Sequence, residues 1–238
     1  MTPHDMFNEY KHIAAIIPAR GGSKRIPRKN LAMIAGKPMI AYSIEDAMNA
    51  RLVDRVIVST EDEKIADVSR QYGADVIDRP QELAQDGASS ESALLHVLDE
   101  LEKRGERKPD LLVFLQCTSP MRYANDIDTA VETLARERAD SLFSAARNFG
   151  LIWAKGERGL HSITHEYATR RREQDMDEQY RENGSLYVFK PEILRSANNR
   201  LGGTIAIYEM DMWTSFQVDS PEDLELAELI IRHRKGIF

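Results

Sequence analysis

Short apolar segments rich in β-branched residues alternate along the chain with longer segments whose apolar positions recur every three to four residues. The apolar segments predict strands near Ile13–Ile17, Arg55–Ser59, Ala74–Ile77, Leu111–Leu115 and Ser141–Ala146. Leu111–Leu115 is apolar throughout, which is typical of a strand buried on both faces. The alternation predicts an α/β fold with a Rossmann-like, mostly parallel sheet flanked by helices.

The amphipathic segments predict helices, and polar residues indicate where several of them begin or end. Gly73 and Gly105 are placed to end the helices over residues 62–72 and 90–104. Asn125 with Asp128, and Ser220 with Asp223, resemble capping boxes. In the last helix we expect a buried side formed by Leu224, Leu226, Ala227, Leu229, Ile230 and Ile231.

The regular alternation is interrupted over residues 147–184, where glycines and a charge-dense run replace the periodic pattern. We interpret this part as a lobe inserted into one domain that spans residues 1–238. A chain of 238 residues with 42% hydrophobic content can bury one substantial core.

Charge and cysteine content narrow the functional classes. The 39 acidic and 32 basic residues give a net charge of −7, which argues against a general nucleic-acid binder. A single cysteine excludes an intrachain disulfide, and no apolar run approaches the roughly 18 residues of a membrane span. With no signal-like segment near Met1, we expect a cytoplasmic protein without membrane insertion.

The loop after the first predicted strand concentrates glycine and positive charge. Gly21 and Gly22 can take positive φ and turn consecutive amides into one concavity that suits anionic oxygens. Five cations lie within ten residues, namely Arg20, Lys24, Arg25, Arg28 and Lys29. The alternative is a solvated basic loop, but ligands of open α/β sheets bind beyond the carboxyl ends of strands. The loop therefore predicts a polyphosphate site, although neither G-x-x-x-x-G-K-[ST] nor G-x-G-x-x-G is present.

Several motifs in order carry a resemblance to a known family. They are PARGGSKRIPRKN at 18–30, GKPMIAYSI at 36–44, VSTED at 58–62, RPQELA at 79–84, LQCTSPMR at 115–122, RENG at 181–184 and VDSPEDL at 218–224. With these motifs the chain resembles the acylneuraminate cytidylyltransferases, the CMP-sialic acid synthetase family. The resemblance implies CTP as the nucleotide substrate and an acidic keto-sugar as the second substrate.

The resemblance also implies residues that bind the nucleotide. By motif position these are Ala19, Gly21, Gly22, Ser23, Lys29, Asn30, Arg79, Ser90 and Gln116. Lys24, and after it Arg20, are our candidates for stabilising the pyrophosphate leaving group. Gln116 follows a central strand and could offer both donor and acceptor to a pyrimidine, or it could simply pair with loop backbone.

Asp219 is the leading candidate ligand for Mg²⁺ or Mn²⁺. A carboxylate at the start of a helix could bind the ion together with substrate phosphates, or it could only complement the helix dipole. The resemblance favours the metal role. The family often shows D-x-D here, whereas this chain has Gln217, a poorer ligand for a hard cation, which could bind the ion through a water molecule.

Recognition of the sugar falls, by resemblance, to the inserted lobe, which in the family packs against a second subunit. The candidates are Arg172, Gln174 and Asn183, although a charge run such as 170–174 is usually a solvated face. The resemblance implies a homodimer, or a dimer of such dimers. The lobe lacks a lysine often found near residues 147–153, which leaves open a sugar other than ordinary sialic acid.

Two further patterns are weaker. Cys117 has no neighbouring histidine pattern and is interpreted as a packed thiol, and His161 with His165 lacks a third zinc ligand. We therefore predict a cytidylyltransferase that joins CTP to the anomeric hydroxyl of a nonulosonic acid. The alternatives are CMP transfer to an eight-carbon keto acid or a phosphorylated or phosphonylated acceptor, and a non-catalytic CTP-binding homologue.

Overall fold

A seven-stranded sheet forms the centre of the computed structural model, which describes residues 10–23, 25–157, 159–169 and 171–234. Its strands in chain order are β1 Ile13–Pro18, β4 Arg55–Thr60, β5 Asp75–Asp78, β6 Leu111–Leu115, β7 Ser141–Arg147, β10 Tyr180–Phe189 and β11 Ile205–Glu209. Two small hairpins supply the other strands, β2 Met33–Ile34 with β3 Lys37–Pro38, and β8 Trp153–Gly156 with β9 Gly159–Ser162.

The sheet order is β11-β7-β10-β6-β1-β4-β5, and β10 alone among these strands runs antiparallel to its neighbours β6 and β7. Strand β6 occupies the middle of the sheet, as its uniformly apolar sequence predicts. The predicted α/β class with a mostly parallel sheet is therefore confirmed.

Helices cover both faces of the sheet. They are α1 Met39–Asn49, α2 Glu63–Gln71, α3 Ser90–Lys103, α4 Asp126–Glu137, α5 Pro191–Ala197 and α6 Pro221–Arg234. Alternation along β1 separates the two cores, because Ala15 and Ile17 pack with α1, α2, α4 and α6, while Ala14 and Ile16 pack with α3 and α5. None of the helices described is both long and apolar enough to cross a membrane.

Helix boundaries show which of the predicted caps form. Gly73 and Gly105 adopt φ of 91° and 65° just past their helices, as predicted. The capping box at α6 forms, since Ser220 N donates to Asp223 Oδ2 (2.8 Å) and Asp223 N donates to Ser220 Oγ (3.2 Å).

The predicted capping box of Asn125 and Asp128 is wrong. Asn125 makes no side-chain cap to α4. The Asp128 carboxylate instead accepts from the backbone N–H groups of Arg51 (3.0 Å) and Leu52 (2.9 Å), which lie in the turn after α1. Asp128 therefore accepts hydrogen bonds from a segment that is distant in the chain and does not cap its own helix.

The predicted buried side of α6 is only partly correct. Ala227 and Ile231 are buried, but Leu226 and Leu229 are 43% and 58% exposed. Apolar residues surround this helix, and only one side of a helix can pack against the sheet. Leu224 and Ile230 are therefore partly buried against the core, whereas Leu226 and Leu229 face outward.

The interruption of the regular pattern corresponds to a segment between β7 and β10. Residues 148–179 leave the main sheet and contain the β8–β9 hairpin, whereas residues 180–184 of the predicted lobe belong to β10. The predicted lobe of 147–184 is thus reduced to 148–179. Large apolar side chains are exposed on this segment, namely Phe149, Ile152, Trp153, Leu160, Ile163 and Tyr167.

Candidate active site

A cleft of about 500 Å³ opens at the carboxyl edge of the sheet, beyond β1, β5 and β6. This is the edge at which open α/β sheets bind ligands. The predicted site residues that line it are Arg20, Gly22, Ser23, Lys29, Asn30, Arg79, Ser90, Gln116, Gln217 and Asp219. The cleft thus brings together residues that are up to about 200 positions apart in the chain.

The glycine loop does not have the predicted backbone. Neither Gly21 nor Gly22 is among the described residues with positive φ. Gly21 is required for a different reason, because a Cβ there would overlap the carboxylate of Asp62. Its N–H donates to Glu61 Oε1 (2.7 Å), so this amide is held by the protein. Gly22 has open space around it and faces the cleft.

Glu61 is a site residue that sequence reasoning missed. Its second oxygen accepts from Arg79 Nη2 (2.9 Å), and the two side chains are only 10% and 5% exposed. Glu61 therefore connects the glycine loop to a cation that lines the cleft. The available signal was its position directly after β4, in the same motif as Asp62.

Asn30 and Arg20 have distinguishable roles. Asn30 is 9% exposed, and its Nδ2 donates to the backbone carbonyl of Arg20 (2.9 Å), which braces the loop from below. The Arg20 guanidinium lies at the cleft and pairs with Asp86 Oδ1 (3.0 Å). Ala19 is buried under the loop and does not line the cleft. Lys24 lies outside the described residues.

The N-terminus of α3 also reaches the cleft. Ser90 is the first residue of the helix, and Ser89 is its N-cap, with Oγ accepting from Ser92 N (3.1 Å). Both serines line the cleft. The positive end of the helix dipole therefore faces the same volume as Arg20 and Arg79, which favours an anionic ligand.

Asp219 lines the same cleft as these cations and the start of α3. Its Oδ1 accepts from Lys29 Nζ (2.9 Å), which also donates to the Val218 carbonyl (3.1 Å). Asp223, and not Asp219, accepts from the amides at the start of α6, and these hydrogen bonds lower the pKa of Asp223. The Asp219 side chain is 49% exposed, and its carboxylate does not cap α6.

The residues that line the cleft fit a metal site with a single protein carboxylate as ligand. The described part of the chain contains no group of three or more His, Cys, Asp or Glu side chains arranged to hold an ion. Gln217 Nε2 donates to the Asn183 carbonyl (2.7 Å), so the NH₂ end of this amide is held by the protein, and its neutral Oε1 is a poor ligand for a hard cation. Asp219 alone fits Mg²⁺ held by one carboxylate together with substrate phosphates, which is a common mode for this ion.

Gln116 is held by a buried arginine that sequence reasoning did not assign. Arg122 Nη2 donates to the carbonyls of Gln116 (3.1 Å) and Ser185 (2.6 Å), and Arg122 Nη1 pairs with Asp46 Oδ2 (3.3 Å). The Arg122 side chain is fully buried. The only sequence signal was its place at the end of the 115–122 motif.

The Asp46–Arg122 pair predicts a pH-dependent stability. Burial raises the pKa of Asp46 to about 6, and Arg122 limits the rise. Between pH 4 and 6 the folded state therefore keeps a proton that the unfolded state has lost, so this group's contribution to stability falls as pH rises. Relative to Asp46→Asn, the wild-type free energy of unfolding should fall by about 1–3 kcal/mol over that window and then level off.

Urea unfolding of both proteins at several pH values measures this difference. Asp67→Asn is the matched control, because Asp67 is 60% exposed and its removal should leave the pH dependence unchanged. A constant difference between wild type and Asp46→Asn from pH 4 to 7 would contradict the raised pKa.

The predicted sugar-binding residues are not brought to this cleft. Arg172 is 74% exposed and pairs with Asp175 (2.8 Å), and Gln174 lines a separate polar cavity of about 530 Å³ within the inserted segment. The Asn183 amide is buried: Oδ1 accepts from Ser144 Oγ (2.6 Å), and Nδ2 donates to Ser215 Oγ (2.9 Å).

Cys117 and the two histidines show no catalytic arrangement. Cys117 is 3% exposed, and burial raises the pKa of its thiol to about 12, which agrees with a packed thiol. His165 packs edge-on against Trp153, with ring centroids 5.4 Å apart.

Two solved structures share the fold. A CMP:2-keto-3-deoxy-manno-octonic acid synthetase complexed with CTP superposes with a TM-score of 0.73 at 20% identity, covering 94% of this chain and all of the other. A 4-diphosphocytidyl-2C-methyl-D-erythritol synthase from Anaerococcus prevotii gives a TM-score of 0.70 at 11% identity, covering 96% and 99%. The chain therefore has the same architecture as these two proteins.

Residues 14–235 match the family model described as "Cytidylyltransferase", and the chain belongs to this family. It is 36% identical to N-acylneuraminate cytidylyltransferase A of Danio rerio over 92% of its own length and 50% of the relative's. It is 31% identical to a pseudaminic acid cytidylyltransferase of Campylobacter jejuni over 91% of its length and 95% of the relative's. The expected resemblance is confirmed, and the chain spans about half the length of the fish relatives that it matches.

Proposed function

We propose that the protein joins CTP to the anomeric hydroxyl of an acidic nine-carbon 2-keto sugar and releases pyrophosphate. The observation that carries this proposal is the cleft, where a glycine loop, cations and a helix N-terminus line the same volume as the Asp219 carboxylate. Relatives at 31–36% identity are named for N-acylneuraminate and pseudaminic acid. Both names denote acidic keto sugars, which supports the acceptor class.

In the proposed reaction the C2 hydroxyl oxygen of the sugar attacks the α-phosphorus of CTP. A new P–O bond forms, the bond to the β-phosphate oxygen breaks, pyrophosphate leaves, and the hydroxyl proton passes to solvent. Arg20, Arg79 and the α3 amides bind the triphosphate and offset its charge. Asn30 and Glu61 hold the loop in position for that contact.

Asp219 would hold Mg²⁺, or Mn²⁺, together with the phosphates. When bound, the ion supplies positive charge to the transferring phosphoryl group and promotes ionisation of the attacking hydroxyl. Lys29 occupies one Asp219 oxygen at 2.9 Å and keeps the carboxylate oriented toward the cleft. Asp219 would therefore hold the ion through Oδ2, or through Oδ1 after a shift of Lys29.

The proposal is tested by measuring pyrophosphate release from CTP with N-acetylneuraminate, pseudaminate, an eight-carbon keto acid and no acceptor, each with and without Mg²⁺. We expect Mg²⁺-dependent release with a nine-carbon acid and a CMP-sugar of matching mass. Turnover only with the eight-carbon acid would support the alternative acceptor. CTP binding without turnover would support the non-catalytic alternative.

Replacing Lys24 with alanine should lower the turnover rate by about 10²-fold or more, because a cation facing the leaving pyrophosphate stabilises charge that develops in the transition state. Steady-state kinetics with CTP and the sugar varied separately measure the effect. Arg28→Ala, an exposed cation of the same loop that does not line the cleft, is the matched control. A change confined to the KM of the sugar would argue against the assigned role of Lys24.

The proposal includes a homodimer in which residues 148–179 contact a second copy. The support is the set of exposed apolar side chains on this segment, with Phe149, Leu160 and Tyr167 each 60–67% exposed. Light scattering after gel filtration should give twice the mass of the 238-residue chain, and Leu160→Asp should lower it. A cytoplasmic location remains a prediction.

A further inference from the structure

Gln217 lies where the family often has a metal-binding acid, yet its amide contacts protein atoms. Its Nε2 donates to the Asn183 carbonyl at 2.7 Å and to Gln116 Oε1 at 3.4 Å. A backbone carbonyl can only accept, so the nitrogen of Gln217 must face Asn183. The second hydrogen on that nitrogen is then directed to the oxygen of Gln116.

This contact determines which end of the Gln116 amide faces the cleft. With Oε1 turned to Gln217, the NH₂ group of Gln116 is left for the cleft that its side chain lines. No hydrogen bond from Gln116 Nε2 to another described residue is present. Gln116 therefore presents donors to a ligand, rather than the mixed donor and acceptor that an unrestrained amide would offer.

The surroundings leave little freedom for another arrangement. The Gln116 carbonyl is held by Arg122, and the Gln116 N–H donates to the Ser185 carbonyl at 3.4 Å. Backbone on both sides of the pair is thus anchored, since Arg122 also binds Ser185. The buried Asn183 side chain fixes the carbonyl on which Gln217 rests.

Gly184 makes the contact possible. It has φ of 65°, and a Cβ there would overlap Gln217 Nε2 and lie 2.8 Å from Gln116 Oε1. The two amides therefore meet directly over the Cα of Gly184. A side chain at this position would separate them, which is a tertiary reason for the glycine in the 181–184 motif.

We propose that Gln217 is a positioning residue: it orients Gln116 so that the Gln116 NH₂ donates to an oxygen of the substrate. In the reaction proposed above, the oxygen that we assign to this donor belongs to the sugar acid. Gln116 and Asp219 line the same cleft, so the oriented donor faces the volume that the substrates would occupy. The inference rests on the proposed function only for the identity of the substrate.

Gln217→Met keeps the length of the side chain and removes both hydrogen bonds. If Gln217 is a positioning residue, this variant should raise the KM of the sugar about tenfold, while the affinity of the CTP complex for Mn²⁺, measured by electron paramagnetic resonance, stays within twofold of wild type. A metal-ligand role predicts weaker Mn²⁺ binding instead, and that result would overturn the inference. Gln71→Met, at the exposed end of α2, is the matched control.

Gln217→Glu provides a second, opposite perturbation. Its carboxylate would repel the Asn183 carbonyl and accept from the Gln116 NH₂, which turns the Gln116 oxygen toward the cleft. We expect a larger rise in the KM of the sugar than for Gln217→Met. A sugar KM within twofold of wild type in both variants would contradict the inference.

Side-chain amide NMR of wild-type protein labelled with ¹⁵N-glutamine tests the orientation without any turnover. The Gln217 NH₂ should exchange slowly with solvent and show a nuclear Overhauser contact to Gly184 Hα, while the Gln116 NH₂ exchanges rapidly in the free protein. Rapid exchange of the Gln217 NH₂ with solvent would contradict the inference. If the wild-type protein forms no CMP-sugar, the proposed function fails, and the NMR result still decides the orientation.

Discussion

We expect Asp219→Ala to lower kcat by about 10³-fold while leaving the fold intact. The carboxylate lies at the cleft, and the capping of α6 is performed by Asp223, so its removal does not disturb the helix start. Loss of the charge that holds the divalent ion would cost several kcal/mol of transition-state stabilisation, and about 4 kcal/mol corresponds to 10³-fold. The pair with Lys29 is half-exposed on the aspartate side and contributes about 1 kcal/mol or less to stability.

The measurements are pyrophosphate release at saturating substrates, Mn²⁺ affinity in the presence of CTP, and thermal unfolding. Glu222→Gln is the matched control, because Glu222 is an exposed acid in the first turn of the same helix. Near-normal turnover of Asp219→Ala at ordinary Mg²⁺ would remove Asp219 as the metal ligand. A large drop in Tm would show that the effect on rate is structural.

The second large effect is expected at Glu61. Glu61→Ala should lower the free energy of unfolding by about 3–5 kcal/mol, because it leaves the buried Arg79 guanidinium without its counter-charge. The variant also frees the Gly21 N–H, so the loop loses one of its anchors. We therefore expect weaker CTP binding in addition to lower stability.

Urea unfolding and CTP calorimetry separate the two consequences. Glu63→Ala, an exposed acid two residues away, should change stability by less than about 0.5 kcal/mol. The double variant Glu61→Ala with Arg79→Met removes both charges and should recover much of the lost stability, but not the CTP affinity, because Arg79 lines the cleft. Full stability of Glu61→Ala alone would show that Arg79 has another counter-charge.

Local patterns predicted the elements whose partners lie nearby in the chain. The predicted strands match β1, β4, β6 and β7 to within one residue at each end, and α3 ends one residue before its predicted end. β10 and β11 were not predicted. Charged and polar residues occupy the first half of β10, residues 180–184, within the interrupted region. The pairing of β10 with β6 and β7 joins residues up to 77 positions apart, which local periodicity does not report.

The candidate site also contains residues that local motifs predicted and residues that they did not. Motif positions anticipated ten of the residues that line the cleft, including Arg20, Lys29 and Asp219. Glu61 and Arg122 were missed because each acts through a partner that only folding brings near. Ser89 was also missed, although its capping partner Ser92 is three residues away. Asp128 offered a valid local cap, yet its carboxylate binds amides about 77 residues away.

By itself the sequence determined the class of fold, five of the seven strands of the main sheet, and a basic glycine loop followed by an acid near the start of the last helix. These features follow from side-chain periodicity, chain conformation and charge, which are local properties. Only the tertiary structure decided that Gly21 is needed for close packing against Asp62, and that the amide of Gln217 turns to Asn183 and Gln116. Those outcomes depend on distances between residues far apart in the chain, and such distances are set when the two cores pack on the sheet.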